Sequence, residues 1–446
     1  MNDISMRLTP DPRICIVGAG PCGITTVKNM LAAGLRNIVC YDERDAIGGN
    51  WVFREALDEG SVYEATHIIS SRTLSEFEDY PMPPDYPDFP AHRQMRGYFD
   101  DYAHHFGVPP FVRLRTRVEQ VTHRSDGCWG VRLSGPDDNR EEVFDHLIVC
   151  SGHHRDPRLP NYPGRFAGAS MHSIEFKRAD PFRGKHVLIV GGGNSACDIA
   201  FEISRVAART CLSMRRGYNI LPKKLFGQPI DKLYSWVHRL PDPILRPLIR
   251  SVLLLALGPR RRYGLPPLQS EPLAMHPTLN TNILRALRDR SVAPRGDIAC
   301  LDGDFVAFGD GSRERFDVIV WATGFRASFP FLEPGIVDWN AENCPPLYLK
   351  SLHRDVANLF FIGLFQPLGC IWRLADYQAR IAALQIAGRL DRPADIAARI
   401  DREMRAPQRR FDKTPRHAIE VDYHEFRAEL LAELDRVKPA LVPESA

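Results

Sequence analysis

Two glycine-rich turns constrain this chain more than any other feature. They are G-A-G-P-C-G at 18–23 and G-G-G-N-S-A at 191–196, and each follows an apolar run and opens an amphipathic helix pattern. In such a turn the glycines allow a tight bend and a close approach of the backbone to a pyrophosphate, which the helix N-terminus then binds. One such motif is a weak signal, but two in the full strand–turn–helix context predict two bound dinucleotides.

The first turn carries an acid where an adenosine ribose is expected. It follows R-I-C-I-V at 13–17, and the next strand pattern, 37–41, ends at Asp42. An acid at this place accepts from a ribose 2′-OH and repels a 2′-phosphate, so the site favours FAD or NAD over NADP. A second glycine-rich loop then passes close by, in which Trp51 either covers the cofactor or packs in the core. The cofactor-binding residues predicted here are Gly18, Gly20, Pro21, Cys22, Gly23, Asp42, Gly49, Asn50 and Trp51.

The second turn carries arginines in place of the acid. It follows K-H-V-L-I-V at 185–190, its third small residue is Ala196, and the next strand pattern, 210–214, runs into Arg215 and Arg216. Arginine accommodates the 2′-phosphate of NADP through its planar fork of donors. The alternative is a pair of solvated surface arginines. The residues predicted to bind NADPH are Gly191, Gly193, Asn194, Ser195, Ser213, Arg215 and Arg216.

Two further strand patterns, 144–152 and 317–324, look like crossings between domains. They predict an α/β fold of two Rossmann-like dinucleotide-binding domains, with the NADP domain inserted in the FAD domain. The expected division is 1–176 for the first part of the FAD domain, 177–317 for the NADPH domain and 318–446 for the return and C-terminal helices. Thr323 and Gly324, at the second crossing, are added to the cofactor-binding residues.

Composition narrows the functional classes. The net charge of +3 is too small to indicate nucleic acid, and the ten cysteines form no C-x-x-C pair. This pattern, with no apolar signal segment at the N-terminus, predicts a reducing, cytoplasmic location. The most apolar stretch, 248–257, is too short to span a bilayer and predicts a lid or domain-interface helix, with membrane-surface contact as the alternative. The expected partners are a small-molecule substrate and O₂, without nucleic acid or membrane, and a homodimer is left open.

A third motif lies ahead of the second turn, F-x-G-x-x-x-H-x-x-x-F, formed by Phe166, Gly168, His172 and Phe176. With it, the chain resembles the flavin-containing monooxygenases over nearly its whole length. The resemblance implies that NADPH reduces FAD, that O₂ forms a C4a-hydroperoxide, and that an amine nitrogen or a sulfur attacks it. The related Baeyer–Villiger monooxygenases, which oxygenate ketones, carry Trp at the last motif position, so Phe176 disfavours that alternative.

One departure from the family concerns the flavin site. Many members carry an Asn before the proline-rich loop, where this chain has Ser70 and Ser71. Either a serine hydroxyl replaces the amide, or the oxygenated intermediate is less protected. The missing Asn also keeps open the alternative of an NADPH oxidase that releases hydrogen peroxide. Ser70, Ser71 and Gln366, which lies in a family-like stretch, are the catalytic candidates, and His172 is expected to hold the linker to the NADP domain. The pairs 104–105 and 153–154 of histidines lack completing ligands, so no metal is predicted.

Overall fold

The first sheet is built on the strand that precedes the first glycine-rich turn. The computed structural model describes residues 10–57, 60, 62–136, 139–267, 277–337, 345–367, 369–405 and 419–437. Ile14–Val17 pairs in parallel with Ile38–Tyr41 on one side and His146–Val149 on the other. In spatial order the sheet runs Leu347–Tyr348, Leu352–His353, Leu359–Phe361, His146–Val149, Ile14–Val17, Ile38–Tyr41, Val112–Arg113. Its central strands are buried on both faces, as their continuous apolar runs require.

The second sheet is parallel and lies, in the chain, between two strands of the first. In spatial order it runs Ala169–His172, Val318–Trp321, His186–Val190, Arg209–Ser213, Ala293–Arg295. The predicted α/β class with two Rossmann-type units, one inserted in the other, is confirmed. The division at 176 and 318 stays a prediction, and in the structure Ala169–His172 and Val318–Trp321, which it places in the FAD domain, pair with each other inside this second sheet. Hydrogen bonding between distant segments, which no local pattern shows, assigns both strands to the inserted unit.

The two crossings between the units are tied to one another. Besides the pairing above, Asp156–Pro157 forms an antiparallel pair with Phe325–Arg326. The outgoing and returning chains therefore run side by side, as a double connection.

Helices cover both sheets and bury two large apolar cores. They are Pro21–Ala32, Arg72–Ser75, His92–His105, Asn194–Ser204, Ile230–Val237, Asp242–Leu257, Thr281–Asp289, Ile371–Ile386, Ile396–Arg405 and Tyr423–Leu434, with short 3-10 turns at Gly49–Trp51, Pro109–Phe111, Asp180–Phe182 and Arg260–Tyr263. Between Pro21–Ala32 and Ile371–Ile386, Asp376 accepts from Asn29 at 2.7 Å and pairs with the buried Lys28 at 2.8 Å. This polar network joins the N-terminal and C-terminal parts of the first unit.

Smaller sheets complete the fold. One joins Arg117–His123, Trp129–Ser134 and Arg140–Phe144, and another joins Arg313–Arg315, Phe305–Phe308, Ile298–Gly303 and Gly164–Phe166. Two-stranded pairs are Ile220–Leu221 with Thr278–Leu279, Lys224–Leu225 with Gln228–Pro229, and Gln366–Pro367 with Glu420–Val421.

The helix Asp242–Leu257 contains the apolar stretch 248–257. Leu245 is its one fully buried side chain among those described, and Leu257 packs against the core of the inserted unit. Its place as a lid or interface helix stays a prediction. In the part of the chain described, no helix combines the length and apolarity needed to cross a membrane.

Candidate functional site

The first glycine-rich turn has no room for a side chain at Gly18 or Gly23. Gly18 has φ +103°, and a Cβ there would lie 2.8 Å from the Cys150 carbonyl oxygen. A Cβ on Gly23 would lie 1.8 Å from the Gly18 oxygen. The turn is therefore fixed by contact of helix, turn and neighbouring strand end, as the motif predicts.

A second loop approaches this turn through glycine. A Cβ on Gly49, which has φ +56°, would lie 3.0 Å from the Gly20 Cα. Gly20 is the N-cap of Pro21–Ala32 and provides no side-chain cap, and the first helical turn holds no acid. The N–H groups of that turn are thus suited to phosphate oxygens. Asn50 is exposed, and Trp51 is half-buried, with its ring centroid 5.6 Å from that of Trp372.

Asp42 is held by the turn itself. One carboxylate oxygen accepts from the Ala19 N–H at 2.7 Å and the other from the Arg44 N–H at 2.9 Å. Burial raises the pKa of this carboxyl, against the lowering effect of both N–H donors. Each oxygen keeps further lone pairs, so the acid is positioned to accept from a ribose hydroxyl.

A third segment, which none of the sequence patterns above indicated, packs against the first turn. A Cβ on Gly363 would lie 2.4 Å from the Cys22 sulfur, and the Gly363 N–H donates to Gln378 Oε1 at 2.9 Å. Gly363 follows the buried strand Leu359–Phe361 and precedes the helix Ile371–Ile386. The signal was an apolar run ending in glycine, the same pattern that precedes Gly18. Pro21 and Cys22 lie in the first turn of the opposing helix, as predicted.

The second glycine-rich turn is enclosed by a side chain on one side and by backbone on another. A Cβ on Gly192 would lie 2.0 Å from the Tyr218 ring, and one on Gly191, with φ +140°, would lie 2.3 Å from the Ala322 oxygen. The Thr278 hydroxyl donates to the Gly192 oxygen at 2.7 Å, and Asn194 Oδ1 accepts from the Leu279 N–H at 2.9 Å. Asn194 thus stabilises the turn through its side chain. Gly193 caps the helix without a side chain, and Ser195 lies exposed in its first turn.

The two arginines after the second strand differ. Arg215 is exposed, whereas Arg216 is half-buried and its guanidinium lies 6.0 Å from the Tyr218 ring centroid. Within the described residues, Arg216 Nε is buried and has no hydrogen-bond partner. An unpaired buried donor beside a glycine turn fits a phosphate oxygen. Ser213 is buried and donates to the Gly296 oxygen at 2.7 Å, so its hydroxyl is engaged by the protein.

A buried carboxylate joins the two units beside these turns. Asp198, on the helix Asn194–Ser204, accepts from the Tyr63 hydroxyl at 2.7 Å and from Asn280 Nδ2 at 2.5 Å. Burial raises the pKa of Asp198. A cavity of about 360 Å³ adjoins it, into which Lys223 also faces. Tyr63 belongs to the first unit, so this contact fixes the inserted unit against it.

The motif before the second turn has a structural explanation. Gly168 has no room for a Cβ, which would lie 2.7 Å from the Phe166 ring. His172 Nε2 lies 3.1 Å from the Gly324 oxygen, and its Nδ1 accepts from the Ile174 N–H at 3.2 Å. Phe176 is 2 % exposed and packs edge-on to Tyr63, with ring centroids 5.6 Å apart. These residues position the double connection between the two units. In that connection the Thr323 hydroxyl donates to the Arg158 oxygen at 2.5 Å.

The three catalytic candidates each contact different residues. The Ser70 hydroxyl lies 2.8 Å from that of Ser75, and Ser71 is the N-cap residue of Arg72–Ser75 and donates its N–H to Asp231 at 2.5 Å. Gln366 lies in a short strand, half-buried. His153, which follows the strand His146–Val149 and a glycine, is buried. Burial lowers the pKa of His153 to about 4, so its ring is neutral at pH 7. Among the described residues no cluster of three or more His, Cys, Asp or Glu could hold a metal.

Comparison with known proteins gives consistent matches. The family model described as flavin-binding monooxygenase-like matches residues 11–443. Mouse flavin-containing monooxygenase 5 is 34 % identical over 97 % of this chain and 84 % of its own length. Rat dimethylaniline monooxygenase [N-oxide-forming] 2 is 32 % identical over 95 % of this chain and 82 % of its own length.

Solved structures share the fold at lower identity. S-allyl-L-cysteine S-oxygenase from Allium sativum has a TM-score of 0.71 at 22 % identity, covering 97 % of this chain and 90 % of its own. Cyclohexanone monooxygenase from Rhodococcus sp. Phi1 bound to NADP⁺ has a TM-score of 0.69 at 14 % identity, covering 96 % and 99 %.

Proposed function

Because this chain belongs to the flavin-binding monooxygenase-like family, it is a monooxygenase that uses FAD and NADP(H), and we propose that it oxygenates a soft nucleophilic atom, an amine nitrogen or a sulfur, of a small molecule. We assign FAD to the first glycine-rich turn and NADPH to the second. The observation that carries this assignment is the contrast between the carboxylate of Asp42 and the unpaired Arg216 Nε. A carboxylate accepts from a ribose hydroxyl, and a guanidinium binds a 2′-phosphate.

The chain holds and shields its cofactors more than it supplies reactive groups. When bound, FAD supplies the redox and oxygen chemistry, and the protein supplies binding, orientation and electrostatics. The Gly20–Gly49 contact leaves backbone N–H groups for the pyrophosphate, and Asp42 orients the ribose. The Trp51 and Trp372 rings form an apolar wall that limits water near this turn. The Asp198–Tyr63 contact ties the inserted unit to the first unit and would hold the two bound cofactors in a fixed relative position.

Two observations support a soft nucleophile as substrate. The last motif position is Phe176, where the ketone-oxygenating relatives carry Trp. The rat relative is named for forming N-oxides. Ketone oxygenation is the second candidate, favoured by the shared fold of cyclohexanone monooxygenase. Release of hydrogen peroxide as the main reaction is a third candidate, because Ser70 shares its hydroxyl with Ser75 and the stretch 66–72 contains no Asn.

A balance of consumed NADPH against products tests the proposal. Purified FAD-loaded protein is given NADPH and O₂ with tertiary amines, thioethers or cyclic ketones, and oxygenated product and hydrogen peroxide are both quantified. We expect amines or thioethers to raise NADPH consumption and to divert it from peroxide to product. Lactone or ester formation from ketones in excess of N- and S-oxides would overturn the substrate class. Release of hydrogen peroxide in an amount equal to the NADPH consumed, with every compound, would identify the protein as an oxidase.

A further inference from the structure

The cavity beside Asp198 lies between the two units. Its volume of about 360 Å³ is that of a small-molecule pocket. His67 and Phe89 line it from the first unit, and Asp198, Phe201 and Lys223 line it from the inserted unit. The wall therefore combines a carboxylate, an ammonium group and aromatic rings that come from separate parts of the chain.

Lys223 brings to this wall a cation without an anionic partner. Its ammonium group donates to the Ile68 oxygen at 3.2 Å and lies 5.2 Å from the centroid of the Phe89 ring. No ion pair between described residues involves Lys223, and burial lowers the pKa of its side chain. An ammonium group can donate three hydrogen bonds, so two donors remain for a ligand.

Asp198 brings the opposite charge to the same cavity. Its oxygens accept from the Tyr63 hydroxyl and from Asn280 Nδ2, which are neutral donors, so its negative charge is not balanced by them. Burial raises the pKa of Asp198, whereas the Tyr63 hydrogen bond and the charge of Lys223 lower it. The two charges therefore attract each other across the cavity, yet they form no direct ion pair.

The other lysine and glutamate side chains of the wall already have partners. Lys224 pairs with Asp88 at 2.5 Å, and Glu202 pairs with Arg205 at 3.3 Å. Charges that are buried without a partner cost free energy, and an opposite charge at hydrogen-bond distance offsets that cost. A ligand that carries one charge of each sign would satisfy both of the remaining groups.

We propose that this cavity binds, in addition to the two nucleotides, a small dipolar molecule of the free α-amino acid class. Its ammonium group lies at Asp198, its carboxylate lies at Lys223, and an apolar side chain packs on Phe89 and Phe201. A ligand with a single charge fits less well, because it would leave one of the two protein charges unpaired. The bound molecule joins the two units at a further point beside the Tyr63 contact.

Calorimetric titration of the FAD-loaded protein, saturated with NADP⁺, tests the proposal at pH 7. The probes are L-leucine, which carries both charges, 3-methylbutylamine, which keeps only the ammonium group, and 4-methylpentanoate, which keeps only the carboxylate. We expect leucine to bind at least about tenfold more tightly than either, because a charge-assisted hydrogen bond contributes roughly ten- to hundredfold. NADPH is left out, so the result does not depend on which atom the enzyme oxygenates.

Two variants separate the charges. Lys223→Met should weaken the binding of leucine and 4-methylpentanoate about tenfold or more, and should not weaken that of 3-methylbutylamine. Asp198→Asn should weaken the binding of leucine and 3-methylbutylamine, and should not weaken that of 4-methylpentanoate. Lys224→Met is the matched control, because Lys224 lines the same cavity but is paired with Asp88. It should change none of the three affinities.

Three results would overturn the proposal. Equal affinity of the wild type for the three probes, or no binding of leucine, would exclude a dipolar ligand, and this comparison needs no variant to fold. Binding of leucine that NADP⁺ abolishes would assign the cavity to the nucleotide. An unchanged affinity for leucine in Lys223→Met would place the binding elsewhere on the protein.

Discussion

The two glycine-rich turns follow one pattern but meet different neighbours. Gly18 and Gly191 both face a backbone carbonyl, that of Cys150 and that of Ala322 respectively. The turns differ in a second contact, because Gly20 faces the Gly49 backbone, whereas Gly192 faces the Tyr218 ring and accepts from the Thr278 hydroxyl. A backbone neighbour holds its place, whereas a side chain can rotate away from a ligand. The fingerprint therefore specifies the bend, and the surrounding segments specify how rigid each site is and which nucleotide it prefers.

The largest expected difference between the two turns is in unfolding free energy, and it concerns the third small position of the motif. In the first turn a Cβ on Gly23 would lie 1.8 Å from a backbone oxygen, yet the second turn carries Ala196 there. Gly23→Ala should cost about 3 kcal/mol or more of unfolding free energy, because the backbone must move. Ala196→Gly should cost about 1 kcal/mol, the usual helix penalty. Urea unfolding measures both, and equal costs would remove the distinction between the turns.

Gly20→Ala is the control for that prediction. A Cβ on Gly20 would meet the Gly49 Cα at 3.6 Å, an ordinary contact. The variant should keep its stability and hold less FAD, since the added carbon takes space that the pyrophosphate needs.

Acid should destabilise the first unit through a buried histidine at the start of a central strand, where the second unit has an exposed histidine. His146 and His186 each begin a central strand, but His146 is 3 % exposed and His186 is exposed. Burial lowers the pKa of His146 to about 4. Since the unfolded pKa is about 6.5, the unfolded state binds more protons below that pH. This stability is present above pH 6.5 and is lost as the pH falls toward 4, by about 3 kcal/mol.

Replacement of each histidine isolates the effect. His146→Leu should flatten the fall of unfolding free energy between pH 7 and 4, and His186→Leu should leave it unchanged. Parallel pH profiles for wild type and His146→Leu would show that other groups cause the acid sensitivity.

The arginines test the nucleotide preference of the second turn. Arg216→Ala should raise the KM for NADPH about ten- to hundredfold, the loss of about 1.5–3 kcal/mol from a charge-assisted phosphate contact. NADH lacks that phosphate, so its KM should change little, and FAD content should not change. Arg215→Ala should have the smaller effect, because Arg215 is exposed. Initial rates with both nucleotides measure this, and equal effects on NADPH and NADH would remove the phosphate role.

The smallest expected effect concerns Ser70 and Ser71, the proposed replacements for the family's Asn. Ser70→Ala and Ser71→Ala each remove one hydroxyl, and Ser70 already shares its own with Ser75. Peroxide released per NADPH should rise no more than about fivefold, equivalent to about 1 kcal/mol. Ser71→Asn should lower it. A release indifferent to all three changes would place protection of the flavin site in other groups.

Local sequence patterns were enough to predict the strands and turns. The other features depend on contacts between distant residues, and local patterns do not show these. Ile14–Val17 and His186–Val190 lie within one residue of their predicted bounds, because each is an uninterrupted apolar run before glycine. Ala169–His172 has little strand signal and forms only by pairing across the insertion. The contacts of Asp198 with Tyr63 and of Asp231 with Ser71 likewise join residues more than a hundred positions apart. No spacing rule encodes such pairs.

The insertion also orders events during synthesis. The inserted sheet is formed by one continuous stretch of chain, so it can complete as soon as Val318–Trp321 leaves the ribosome. The first sheet cannot, because His146–Val149 waits for Leu359–Phe361, and Pro21–Ala32 waits for Asp376. Until then the nascent N-terminal unit carries an unpaired apolar strand edge, the kind of surface that recruits chaperones or aggregates. The unit that is translated first is thus the last to fold.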